Sequence, residues 1–353
     1  MALKRLFRIP PRAQTAPTLD RPRSHLLWRL LVPVVFAAVS AEFLIEAIIE
    51  PRSIGSHASI YTAAARAWLA GGDPWSVGPR AAVFAGPPPM LLPFVPFTAL
   101  PLDVTRVVWV VGSAILAVLV IRRLRLPAYW IAFPPIAQVI HLGHPEVLLL
   151  ALIVFGGPLG GLAPVVKPYF GPALLAERRW RAIAVGIGVL VVTFPFLPWA
   201  AFISRLPEIT ATLARQSIGD STFGQPIWML VAIAALAALG LRRGLWLAMP
   251  VLWPSAQPFY KVACVPAIAP LLAVFWAIPI PGFSLAGLIV LAAADRYVAA
   301  RGGPDWLRAG VYARGLDHLS GDAPPAKPAK PAEPGEPAEP ADGLDPQAGR
   351  VAQ

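Results

Sequence analysis

Apolar residues fill most of this chain in long blocks, and polar residues gather in a few dense groups between them. Leu30–Ile49, about 20 residues, has the length needed to cross the hydrocarbon core of a bilayer. Further blocks are Val107–Ile121, Ala128–His141, Val147–Phe155, Leu159–Ala176, Ile183–Phe202, Ile227–Leu241, Leu245–Trp253, Val262–Ile280 and Phe283–Ala293. The pattern predicts an all-α integral membrane protein, a polytopic helical bundle of about ten transmembrane helices. Several blocks are too short to span alone, and GGPLGG between two of them reads as a hinge or tight turn.

The first long break, residues 50–82, would be the first outer loop. Within it Ile60, Ala64 and Trp68 recur at helical spacing, with Tyr61, Ala65 and Leu69 beside them. The stripe is small and the aromatics suit a membrane–water boundary, so a short interfacial helix is predicted, followed by a tight GGDPW turn. Next, FAGPPPMLLPFVPFTALP is apolar but carries six prolines, which predicts a short or broken span that packs on protein or lines a cavity. SRLPEITATLARQSIGDSTFGQP reads as a second polar loop on the outer side. The expected division is a basic arm over residues 1–29, a membrane domain over 30–300 and a Pro/Ala-rich disordered tail over 301–353.

Composition fits a membrane protein. Charged residues make up 14% of the 353, against about 25% in a soluble domain. The net charge of +11 resides mostly in short arginine groups between apolar blocks, the positive-inside pattern and not a nucleic-acid patch. That pattern predicts a cytoplasmic N-terminus for a multi-pass protein, and the plasma membrane is the expected location. The single Cys264 lies in an apolar run and reads as a packing residue.

Phosphate loops, dinucleotide fingerprints, HExxH and paired cysteines are absent from the sequence. The candidate chemistry is a set of polar groups within or beside apolar blocks: His57, Tyr61 and Asp73, then His141, His144 and Glu146, Lys167, Arg215 and Gln216, and Gln257, Tyr260 and Lys261. Taken singly, each has an ordinary structural reading: Asp73 before Pro74 is a turn carboxylate, and Tyr61 and Trp68 fit an interfacial belt. Lys167 is the exception, because it stands in an apolar stretch away from every arginine group and needs an anion. A lipid phosphate would serve. Glu42, Glu46 and Glu50, four apart, form one acidic face near the outer end of the first block. They are the first place to look for a metal, although the reading calls for neither a metal nor a cofactor.

In order and spacing, five of these stretches resemble the polyprenol-phosphate-dependent mannosyltransferases of glycosyltransferase family 87. They are HASIYTAAARAWLAGGDPW, FAGPPPMLLPFVPFTALP, HLGHPEVLLLALIVFG, GGLAPVVKPYFGPALLAERRWRA, and RQSIGD with the later WPSAQPFYKVACVPAIAPLL. The resemblance implies a GT-C fold and an inverting hexosyltransferase. Its partners would be a polyprenyl-phosphate sugar donor, a lipid or glycan acceptor at the outer face, and membrane lipids. A loop residue at His57, or Asp73, would act as catalytic base. Substrate would be held by Tyr61, His144, Glu146, Lys167, Arg215, Gln216, Gln257, Tyr260 and Lys261.

The chain departs from the family pattern at four places. His57 stands where the family has Asp, and Gly143-His144-Pro145-Glu146 where it has Gly-Gln-x-Asn. Gly86 replaces the Tyr of Tyr-Pro-Pro, and SAQPFY lacks a His. Two other readings therefore stand beside the enzyme: a catalytically lapsed relative that binds polyprenyl lipids or scaffolds an envelope complex, and a lipid-linked transporter. The transporter should show two halves with matching interrupted spans, and the sequence shows no such repeat.

Overall fold

The computed structural model describes residues 26–78, 84–216, 221–255 and 257–319. Among these every regular element is helical. The α-helices of eight residues or more are α1 (Leu26–Ile49), α2 (Ser56–Leu69), α3 (Leu102–Arg123), α4 (Pro134–Leu142), α5 (Glu146–Phe155), α6 (Trp180–Thr193), α7 (Trp199–Gln216), α8 (Pro226–Ala238), α9 (Pro270–Ala277) and α10 (Phe283–Arg301).

Among the described residues three helices, α1, α3 and α10, are long and apolar enough to cross a membrane, and α4 with α5 makes a fourth if the bent pair is one span. That falls short of the ten expected. The shortfall has a physical cause, since proline and glycine cut the remaining apolar blocks into short pieces. Pro88–Ala99 and Pro258–Ala267 are 3-10 helices, with internal prolines that have no N–H to donate. The spans nevertheless turn large apolar faces outward. Val34, Leu44, Ile45, Ile48 and Ile49 of α1 and Val107, Val111 and Ile115 of α3 are exposed, as lipid-facing residues are.

α1 and α3 run in opposite directions. Glu46, near the end of α1, lies 3.6 Å from His141, and Ser40 donates to the Ala132 carbonyl at 2.8 Å. At the start of α3, Arg106 donates to Ser59 of α2 at 3.3 Å, and Trp109 is buried against Phe94. α2 is not a loosely laid surface helix. Its face of Ala58, Tyr61, Ala64 and Ala65 is buried, and Arg66 donates to the Thr98 and Leu100 carbonyls.

The other end of the bundle is basic. Arg242 makes two bonds of 2.9 Å to Glu177 and a third to the Leu316 carbonyl. Arg243 donates to the Val311 carbonyl at 2.9 Å, and Arg179 to the Ile153 and Leu319 carbonyls. Residues 305–319, read from the sequence as the start of a tail, are therefore folded. Asp305–Val311 is helical, and Gly310 sits so close to Trp28 that a Cβ there would lie 2.5 Å from the indole.

Candidate active site

The site forms where the middle of the molecule breaks its helices. α4 ends at Gly143, whose φ of +74° is a left-handed conformation that favours glycine. Space gives a second reason, since a Cβ there would lie 2.9 Å from that of Ala58. The chain then turns by 114° through His144 and Pro145 into α5, putting Glu146 in the first helical turn. The peptide N–H groups of that turn favour a carboxylate. Further on, Lys167 ends the helix Leu162–Val166 in an extended conformation, and Pro168 opens the next turn.

These breaks bring the side chains together. Glu146, fully buried, forms an ion pair with Lys167 and accepts from the Tyr169 hydroxyl at 2.6 Å. Lys167 thus already has an anion in Glu146, supplied from 21 residues upstream. His144 is stacked between two rings, His57 at 4.1 Å and Phe259 at 4.0 Å, and its Nδ1 shares a 2.9 Å hydrogen bond with Tyr61. Tyr260 lies 4.6 Å from Tyr169, ring to ring.

A cavity of about 410 Å³ opens against this cluster, a size suited to a small ligand. His57, Tyr61, His144, Lys167, Gln257 and Tyr260 line it, as do Gln138, Tyr169, Trp253 and Phe259. Three buried polar atoms at or behind its wall have no hydrogen-bond partner among the described residues: Gln138 Oε1, His144 Nε2 and Glu146 Oε2. Buried polar groups are normally satisfied, so this cluster marks a place prepared for a polar ligand.

His57 is half-buried in that wall. Burial, and then the positive charge of Lys167, lowers its pKa to about 4. It is therefore neutral at physiological pH. Burial, followed by the charges of Glu146 and Tyr260, keeps the Tyr61 hydroxyl protonated well beyond its ordinary range.

The other sequence-derived candidates lie elsewhere. Asp73 accepts from the Trp75 N–H at 3.0 Å and is ion-paired with Arg205 of α7, away from the cavity wall. Arg215 is exposed and donates to Thr212 on its own helix at 2.9 Å. Lys261 is buried, with Nζ 3.4 Å from the Trp276 carbonyl, and does not reach the cavity. The side chain of Gln216 lies outside the described residues. Of the acidic face on α1, Glu42 and Glu50 are exposed and Glu46 faces His141. Among the described residues no three His, Cys, Asp or Glu side chains converge on a point.

Sequence reasoning passed over Gln138, Tyr169 and Phe259. Gln138 carried a usable signal, as a lone amide in the apolar run Ala128–His141, and Tyr169 follows Lys167-Pro168 directly. The polar stretch from Ser204 to Gln216, expected as a loop, is the greater part of α7. This helix buries Ile209 and sets Leu213 in the cavity wall.

No curated protein and no solved structure matches this chain. A family model described as Glycosyltransferase family 87 matches residues 84–290, more than half of the chain. The match spans the bend at Gly143, Glu146, Lys167 and the Gln257–Tyr260 wall, and begins beyond α2. The described elements are all helical, three of them are long and apolar enough to cross a membrane, and with this match over its central part the chain belongs to glycosyltransferase family 87.

Proposed function

We propose that the chain moves a hexosyl unit, mannosyl by the sequence resemblance, from a polyprenyl-phosphate donor to a glycan or glycolipid acceptor. In this reading the bundle is of GT-C type and the cavity opens at the outer face of the plasma membrane. The carrying observation is the cavity itself, which joins a neutral imidazole, a lysine and three unsatisfied buried polar atoms.

In the reaction the acceptor hydroxyl oxygen attacks C1 of the sugar from the face opposite the phosphate. The C1–O bond breaks, its electron pair leaves on the polyprenyl phosphate, and the anomeric configuration inverts. His57 takes the hydroxyl proton as the new bond forms. A base of pKa about 4 is weak, but the donor phosphate supplies a negative charge beside it and raises that value once bound. Lys167 meets the phosphate with the N–H bonds it does not give Glu146, stabilising charge that grows on the leaving group. Gln138 and Gln257 offer amides for sugar hydroxyls. Tyr61 holds His144, which in turn supports the His57 ring.

One observation favours the lapsed-relative reading. The charge of Lys167 is met internally by Glu146, and no other lysine or arginine lines the cavity among the described residues. The two readings separate in a transfer assay on membranes overexpressing the protein, with a panel of radiolabelled polyprenyl-phosphate hexoses. Transfer is expected, and His57→Ala is expected to slow it by about 10² to 10⁴, the worth of a general base. Full transfer by that variant overturns the role of His57. Binding of polyprenyl phosphate without any transfer replaces the enzyme by the lapsed relative.

A further inference from the structure

A second cavity, about 460 Å³, lies at the opposite end of α1 from the first. Its walls come from separated parts of the chain: Trp28 and Arg29 at the start of α1, Tyr129 and Trp130 after α3, and Tyr312 and Arg314 from the folded C-terminal segment. α1, at 1.5 Å per residue, is about 36 Å long, so the two cavities stand about a membrane thickness apart. This one therefore belongs to a different surface of the protein from the transfer site.

Its chemistry is one-sided. Arg29 and Arg314 are exposed, and neither makes an ion pair or hydrogen bond among the described residues. Of the nearby acids, Asp305 and Glu177 are ion-paired with Arg308 and Arg242, and Asp317, which accepts from the Tyr312 hydroxyl, is the one carboxylate set against Arg29, Arg123, Arg125 and Arg314 among the described residues. Both guanidinium groups act on the same phenol, since burial raises the Tyr129 pKa while the charges of Arg314 and Arg29 oppose it. Burial, and then Arg125, Arg123 and Arg314, holds His318 below its ordinary range despite Asp317 nearby. Two guanidinium groups with no ion-pair partner among the described residues thus flank a pocket walled by indoles and phenols, where cations outnumber acids.

We propose that this cavity binds a phosphate headgroup, with its oxygens on Arg29 and Arg314 and the rest of the headgroup against Trp130, Tyr129 and Tyr312. Guanidinium groups match phosphate oxygens in geometry and remain charged at all physiological pH values. Amphipathic aromatic rings occupy headgroup depth in membranes. The start of α1 and the end of α3 are span termini, so the cavity mouth lies where lipid phosphates are. The chemistry is that of an anionic phospholipid or of free phosphate. Binding would tie α1 to residues 312–314 and so fasten the C-terminal segment on the bundle.

The test uses the full-length, delipidated protein in mild detergent. Bound lipid is counted by native mass spectrometry after addition of phosphatidylglycerol or phosphatidylcholine, with and without excess inorganic phosphate. The wild type is expected to retain phosphatidylglycerol over phosphatidylcholine. Arg29→Gln and Arg314→Gln are each expected to weaken retention about tenfold, the worth of one charge-assisted hydrogen bond. Arg52→Gln, an exposed arginine at the far end of α1, should leave retention unchanged. Displacement of the lipid by inorganic phosphate supports the same site with a soluble source. Two outcomes overturn the proposal: wild-type retention in the Arg29→Gln/Arg314→Gln double variant, or equal loss in Arg52→Gln. A lipid-free thermal melt of each variant identifies any loss caused by misfolding.

Discussion

Glu146 and Lys167 show how one side chain changes the meaning of another. From the sequence Lys167 is a lone cation in an apolar stretch, and an external phosphate is the natural partner. The missing fact is the 114° bend at Gly143–Pro145, which turns Glu146 onto Lys167. Spacing along the chain cannot carry that information. Removing one member of a buried ion pair strands the other, so Glu146→Gln is expected to destabilise the protein by about 3 kcal/mol. Glu146→Gln with Lys167→Met should recover most of that loss, because no unpaired charge remains. Thermal melts of the two variants in detergent check this; equal loss in both would mean that packing, and not charge, sets the cost. The pH profile gives a second check at this scale. His57 must be neutral to accept a proton, so kcat/KM should fall as pH drops through about 4, and not through 6.5, the ordinary histidine value. The limb for kcat should lie higher, because the bound donor phosphate favours the protonated imidazole. An acid limb of kcat/KM at 6.5 removes His57 as the titrating base.

At the scale of elements, the apolar blocks are legible and their subdivision is not. GGPLGG reads as a hinge or tight turn; it forms a short 3-10 helix, and the structure gives Gly161 a further use. A Cβ on Gly161 would lie 1.9 Å from the Ala182 carbonyl, and one on Gly186 would lie 2.7 Å from the Gly161 carbonyl. The short segment Gly157–Gly161 and α6 thus touch backbone to backbone, and the helix leading to Lys167 follows at once. Gly161→Ala is expected to cost about 1–3 kcal/mol by overpacking and to impair transfer by displacing Lys167. Gly188→Ala, in the same α6 but with open space around its Cβ, should be neutral or stabilising by up to about 1 kcal/mol. Melting midpoints of the pair, with transfer rates beside them, decide whether close approach explains the glycine. α7 gives the converse lesson. Its polar content and Pro207 read as a loop, yet Phe202, Ile209 and Leu213 pack along one side of a continuous helix. The amphipathic face matters because it closes over a cavity that local pattern does not reveal.

For the whole molecule, composition alone gives the membrane class, since so little charge cannot cover a soluble protein of this length. The C-terminal boundary is less legible, because Gly302 onward departs from the membrane pattern and merges by composition with the Pro/Ala-rich repeat. Residues up to Leu319 nevertheless belong to the same compact unit as the bundle. They supply backbone acceptors to the arginines that follow the apolar blocks: Val311 to Arg243, Leu316 to Arg242 and Leu319 to Arg179. Trp28 also donates to the Trp306 carbonyl at 2.6 Å. A chain ending at Leu319 keeps all of these bonds, so its melting midpoint and transfer rate should match the full-length protein. Ending at Gly303 leaves three guanidinium groups and an indole short of acceptors, at about 1.5–3 kcal/mol for each charged bond lost. That chain should express poorly or melt at a clearly lower temperature, and protease should cut it where the full-length protein resists. Loss of transfer on ending at Leu319 would instead give the repeat a part in the reaction. Equal stability of both truncations would mean that water replaces the lost acceptors at no cost, and that the basic end of the bundle holds without its C-terminal strap.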